Sequence, residues 1–189
     1  ARAVEQGQDI TYVTERCVFR LTPDGQQVVV RFVSAGEIFG VASALGRSTY
    51  PATATAVVDS LALVWPSAIW PKLSETYPVL VANTLRTVGS RLQDAHTRVV
   101  EMSTEQVERR IAHALLRLAQ QSGRKVEAGI QIDFPISRQD VAEMTGATLH
   151  TVSRVLSAWE EKGLVEGGRQ KITLRDPHRI FMLAEGNPT

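Results

Sequence analysis

Between Ser137 and Leu174 the chain reads SRQDVAEMTGATLHTVSRVLSAWEEKGLVEGGRQKITL, and this stretch restricts the fold more than any other. Small Ala142 lets one helix approach another, and Gly146 supplies a turn. Val152, Val155, Leu156 and Trp159 then follow at i, i+3, i+4 and i+7, the buried stripe of a second helix. GLVEGGRQKITL reads as a two-stranded hairpin. The spacing therefore predicts helix, short turn, helix and wing. It also leaves His150, Ser153, Arg154 and Ser157 on the outer face of the second helix. An arginine near the start of such a helix can lie flat against guanine and donate two hydrogen bonds, which makes Arg154 a base-reading candidate. The wing tip, Gly167 to Lys171, is small enough to come close to a phosphate backbone. The plain alternative is a small helical domain with a solvated arginine face. The complete register of four elements favours DNA.

Upstream, Val81, Leu85, Val88, Leu92, Ala95, Val99 and Met102 recur at spacings of 4, 3, 4, 3, 4 and 3. This is a two-in-seven stripe sustained over three heptads, and it predicts one long helix opening near Pro78. A helix lying on its own domain would explain the period as well. The narrow seam favours self-association, because a helix covering a globular core carries a wider apolar face. Ser103 with Gln106 has the spacing of a capping box, so a new helix is expected from there to about Gln121. Ser122-Gly123 should end it, with glycine in a left-handed conformation.

From Ile10 to Trp65 the chain is rich in Val, Thr, Phe and Tyr, with turn signals at Pro23-Asp24-Gly25, Ala35-Gly36 and Tyr50-Pro51. That pattern predicts short antiparallel strands. CVFRLTPDGQQVVVRF is the clearest hairpin, turning at Asp24-Gly25. A short helical segment from Pro66 to Leu73 follows. The organisation expected is α+β: a strand-rich domain over 1–77, a long helix over 78–102 and a winged helix-turn-helix over 103–189.

Composition excludes more than it selects. A hydrophobic share of 43% and a charged share of 22% suit a globular core, and no apolar run reaches the roughly 18 residues of a membrane span. Arg2, Glu5 and Asp9 stand where a secretory signal would be apolar, so a cytoplasmic location with no membrane partner is expected. The net charge of +1 is too small to indicate nucleic acid, and the DNA reading rests on local pattern. Cys17 is the single cysteine, which rules out an internal disulfide or a thiolate cluster built from these residues alone. It reads as a buried strand residue first and a redox target second. The four histidines, His96, His113, His150 and His178, all fall outside the strand-rich half, so neither a metal site nor a catalytic site is expected. The rival classes are a metal-dependent enzyme of the strand-rich domain and a ligand-binding module whose helical tail never meets DNA.

GEIFG at 36–40, the hairpin before it, the heptad helix, and ISRQDVAEMTG followed by TVSR together resemble the superfamily of the cyclic-AMP receptor protein and the fumarate-nitrate-reduction regulator, over nearly the whole chain. The resemblance implies a jelly-roll effector domain, cyclic-nucleotide-binding-like in fold, over 1–77. It also implies a homodimer joined by the long helix, double-stranded DNA as ligand and RNA polymerase as a further partner. It assigns base reading to His150, Ser153 and Arg154. Backbone contacts go to Ser137, Arg138, Gln139, Thr148, Thr151, Ser157, Arg169, Gln170 and Lys171. Leu149 and His150 replace the Arg-Glu pair of the receptor protein, so the target sequence should differ. The Ser-Arg ending and YPATA look more like the branch that responds to oxygen and nitrogen oxides. The amino end reads as short against the family pattern.

By the same resemblance the effector pocket draws on Gly36, Glu37, Gly40, Arg47, Ser48 and Tyr50. Val41 falls where nucleotide-binding members carry a carboxylate for the ribose, and Tyr50-Pro51 where they carry an Arg-Ser pair for the cyclic phosphate. A shift of three residues would bring Arg47-Ser48 into that place. Cyclic AMP is therefore not expected as effector; nitric oxide, oxygen or redox state is, with haem a candidate cofactor.

Overall fold

β-branched and aromatic residues of the amino-terminal half form short strands, in a computed structural model that describes residues 9–13, 19–22, 29, 31–33, 37–41 and 53–186. Among these residues the strands are β1 (Asp9–Val13), β2 (Phe19–Thr22), β3 (Arg31–Val33), β4 (Ile38–Phe39), β5 (Thr53–Ala56) and β6 (Ala62–Pro66). They make two antiparallel sheets, ordered β4-β1-β6 and β3-β2-β5. Val33 and Ala54 from one sheet and Phe39 from the other are buried together, which is how two small sheets share a core. Phe19 lies opposite Val33 and Leu21 opposite Arg31, so the expected hairpin pairs as read. Its Asp24-Gly25 turn and Cys17 lie outside the described residues, as do Gly36, Arg47, Ser48 and Tyr50.

A 3-10 turn at Ser67–Ile69 leads into α1 (Trp70–Thr76) and then α2 (Pro78–Thr104). Proline in the first turn of each helix costs nothing, since that amide has no intrahelical partner. At 27 residues α2 is about 40 Å long. It passes through the expected break at Met102-Ser103: the Ser103 hydroxyl donates to Val99 O at 2.8 Å instead of capping a new helix. The chain leaves helical geometry at Glu105, and α3 (Val107–Ser122) starts from Gln106 with no side-chain cap. The capping-box reading is thus corrected, because a hydroxyl inside an intact helix finds the carbonyl one turn back.

The carboxy-terminal part comprises α3, β7 (Gly123–Val126), β8 (Gly129–Ile132), α4 (Arg138–Thr145), α5 (Leu149–Glu161), β9 (Val165–Gly168), β10 (Lys171–Leu174) and α6 (Pro177–Ala184). Gly123 ends α3 with φ −84°, extended rather than left-handed. Glycine is required there for a different reason: a Cβ would overlap Ala119 O and Ile130 Cγ2. The hairpin β7–β8 extends the wing into a four-stranded sheet, β7-β8-β10-β9.

Ile111, Leu115 and Leu118 of α3 meet Val152, Leu156 and Trp159 of α5 in one buried cluster. Each such side chain contributes about 1.5–3 kcal/mol by leaving water. The buried Trp159 indole donates to Glu108 Oε1 at 2.9 Å, so its polar edge is satisfied. Val29 and Phe32, from the strand-rich half, belong to the same cluster. The Phe32 and Phe134 rings lie 4.6 Å apart, tilted by 43°. The junction of α2 and α3 is tied by charge: buried Glu101 pairs with Arg117 at 2.6 Å, and Glu105 faces Arg109 at 3.3 Å and His113 at 3.5 Å.

Candidate nucleic-acid interface

Local chemistry sets each helix of the helix-turn-helix. The Ser137 hydroxyl accepts from Asp140 N at 3.1 Å, while Asp140 Oδ2 accepts from Ser137 N at 2.8 Å, a reciprocal cap for α4. Gly146, at φ +62°, turns the chain after α4, and its amide donates to Ala142 O. Thr148 then caps α5, accepting from Thr151 N at 3.1 Å with the two hydroxyls 2.9 Å apart. Ser137, Thr148 and Thr151 therefore hold helix ends, a role the DNA-contact reading did not include.

On α5 the stripe Val152, Leu156 and Trp159 is buried, with Val155 half-buried beside it. His150 and Arg154 are exposed, and Ser153 and Ser157 lie half-buried at the flank. The Arg154 side chain makes no hydrogen bond or ion pair among the described residues. Arg138 differs: its Nη2 donates to Glu160 Oε1 at 2.9 Å, and its Nη1 donates to Ser157 Oγ at 3.2 Å and Ser153 O at 3.3 Å. Exposed Gln139 donates to Glu143 at 3.0 Å.

The wing is tighter than expected. Gly167 and Gly168 are strand residues, and only Arg169 and Gln170 form the turn. Gln170 has φ +56°, a conformation that asparagine or glycine adopts more readily. Its carbonyl accepts from Ile136 N at 3.1 Å, which ties the turn to the residue preceding the α4 cap. Arg169, Gln170 and Lys171 are exposed. Helix α5, the start of α4 and the wing thus border one groove of about 380 Å³.

The Crp-like helix-turn-helix domain family matches residues 109–180, and the cyclic nucleotide-binding domain family matches residues 7–77. The cyclic AMP receptor protein of Thermus thermophilus is 30% identical over 169 residues, which is 89% of this chain and 75% of that protein. The chain belongs to the CRP/FNR superfamily of transcription regulators. The transcriptional activator protein FnrA of Stutzerimonas stutzeri is similar at 25% over 168 residues, 89% of this chain and 68% of that protein. A CRP-family transcriptional regulator of known structure, also from Thermus thermophilus, shares the fold with a TM-score of 0.79 at 21% identity, over 98% of this chain and 94% of that one.

In this CRP/FNR chain, Glu37, expected from the sequence as a pocket residue, sits in a charged cluster whose arginines, Arg31 and Arg91, the sequence did not single out. Arg31 pairs with Glu37, and Arg91 of α2 donates to Ile38 O. Burial, and next the Arg31 charge, push Arg91 below the usual guanidinium range, against the pull of Glu37. Burial lowers Arg98 likewise, helped by Arg117. Both stay charged at neutral pH. Arg91 escaped notice because it lies in α2, remote in sequence from the GEIFG motif. Val41 is buried and apolar, and Gly40 holds φ +73°. No group of three His, Cys, Asp or Glu placed to hold a metal occurs among the described residues. No helix among them is long and apolar enough to cross a membrane.

Proposed function

We propose that the chain binds a pseudo-palindromic duplex as a cytoplasmic homodimer, paired through α2, and regulates transcription by RNA polymerase in response to nitric oxide, oxygen or redox state. The observation that carries the reading is Arg154, exposed and unpartnered among the described residues on the outer face of a helix whose inner face is buried. His150, Ser153 and Arg154 read base edges. Arg138, Gln139, Ser157, Arg169, Gln170 and Lys171 contact the backbone, together with the amides at the capped starts of α4 and α5. Enrichment from a random duplex pool tests this: the wild type should select two inverted half-sites with centres about one helical turn, roughly 34 Å, apart. Recovery of a single unrepeated motif, or of none, contradicts it.

Val41 supports a signal other than cyclic AMP. By resemblance it stands where the ribose hydroxyl meets a carboxylate, and a buried valine accepts no hydrogen bond. Glu37, the acid four residues earlier, pairs with Arg31. The relative named a cyclic AMP receptor protein weighs on the other side, which makes calorimetry decisive. Cyclic AMP and cyclic GMP should each give no saturable heat at micromolar concentration. Saturable binding with a matching gain in DNA affinity overturns this reading, and loss of that binding in Arg47→Ala would locate the phosphate contact. Haem does not fit histidine ligation within the effector half, since His96, His113, His150 and His178 lie on α2, α3, α5 and α6.

A further inference from the structure

Glu160 belongs to no sequence pattern for DNA recognition, yet it sits where three elements of the interface meet. Its carboxylate accepts from Arg138 Nη2 at 2.9 Å, while Nη1 of that guanidinium donates to Ser157 Oγ and Ser153 O. Arg138 opens α4, Glu160 stands in the last turn of α5, and Gly167 of β9 lies against both. A Cβ on Gly167 would overlap Glu160 Oε1 and come within 3.7 Å of Arg138 Nη2. Among the described residues that border the groove Glu160 is also the one acid, and the cations are Arg138 and Lys171.

An arginine on a loose stem attracts any phosphate it can reach, and that attraction carries no sequence information. A guanidinium has five N–H donors in a fixed fork. Here three hydrogen bonds to α5 hold the fork, with a carboxylate balancing its charge at short range. Nε and the second hydrogen of Nη2 make no hydrogen bond among the described residues. Arg138 then meets a phosphate only where α5 is already seated in the groove.

We infer that Glu160 is a positioning residue for DNA recognition: by holding Arg138 along the flank of α5, it suppresses association with random sequence more than association with the target. The inference rests on the reading of Arg138 as a phosphate contact. It makes Glu160 a determinant of the specificity ratio without any contact to a base.

Two variants separate geometry from charge. Glu160→Ala removes the carboxylate, whereas Gly167→Ala keeps every charge and displaces the carboxylate from its seat beside Arg138. Gly167 does not adopt a positive φ, so its backbone accepts alanine. Each full-length variant is titrated across a salt series against the duplex that the wild type enriches from a random pool, and against a random duplex of equal length. Glu160→Ala should bind the random duplex about threefold to tenfold more tightly, with a salt slope steeper by about one per protomer, and should gain less on the target. Gly167→Ala should lower the target-to-random ratio in the same direction. In an Arg138→Ala background, Glu160→Ala should leave the ratio unchanged within about twofold. Equal changes on both duplexes in Glu160→Ala overturn the inference, as does a ratio loss that persists without Arg138. If Glu160→Ala fails to fold, an unchanged ratio in Gly167→Ala overturns it alone. Failure of the wild type to enrich any sequence would instead remove the base-reading assignment from which the ratio is defined.

Discussion

Leu85→Lys combined with Leu92→Lys should leave a folded monomer that has lost most of its affinity for a two-half-site target. Leu85 is 60% exposed and Leu92 71% exposed in the single chain, and Val99 continues the seam at 62%. So long an apolar edge on a helix of 27 residues is stable in water only when covered. Pairing two copies along it buries both leucines twice, at about 1.5–3 kcal/mol for each side chain fully removed from water. Lysine at those positions sets like charges against each other across the seam and removes that gain. Neither leucine belongs to a buried cluster of its own chain, so thermal unfolding of the monomer should keep a cooperative transition. A monomer holds one half-site at a time. Losing the linked second contact should weaken target binding by about 10²–10⁴-fold, with a much smaller change on random duplex. Sedimentation at micromolar protein is the first check. A wild type that sediments as a monomer, or a double variant that remains dimeric, contradicts the role given to α2.

The heptad stripe was legible because its period is a property of sequence spacing alone: all seven residues fall within α2, with Val81 and Val88 half-buried and Leu85, Leu92, Ala95, Val99 and Met102 exposed. Its end was not. Ser103 and Gln106 match a local capping pattern, but α2 continues to Thr104, and a tie between its end and α3 is the pair of buried Glu101 with half-buried Arg117, sixteen positions apart. The hairpin β7–β8 escaped for a similar reason. GRKVEAGIQI has little β signature, and the sheet exists because Ile130 and Gln131 pair with Leu174 and Thr173 of the wing. Phe32 shows the limit from the other direction. Its alternation placed it on a strand, yet its partner is Phe134, across the domain division. In the interface, periodicity separated Arg154 from Val152 and Trp159 without help from tertiary contacts. The family resemblance proposed Arg138 as a backbone contact but could not show that it is held by Glu160, because that pair is set by how α4 packs on α5.

Arg154→Ala should abolish selective binding while leaving weak, salt-sensitive association. Arg154 is exposed, and its charge is not balanced by a described acid, unlike that of Arg138. A bidentate contact to guanine is worth about 1–3 kcal/mol of discrimination, and a symmetric dimer makes it twice. The target should therefore weaken by roughly 30- to 10⁴-fold, whereas random duplex loses only one cation per protomer and weakens far less. Arg154→Lys should not restore selectivity, since an ammonium supplies charge without the planar fork that matches O6 and N7 of guanine. Arg169→Ala gives the contrasting control. Its side chain is on the exposed turn of the wing, and its loss should weaken both duplexes by a similar factor and flatten the salt dependence. Titrations of the three variants on the enriched and random duplexes, at two or more salt concentrations, separate the roles. Equal losses on both duplexes in Arg154→Ala would show that this arginine supplies charge alone, and base reading would then have to pass to His150 or Ser153.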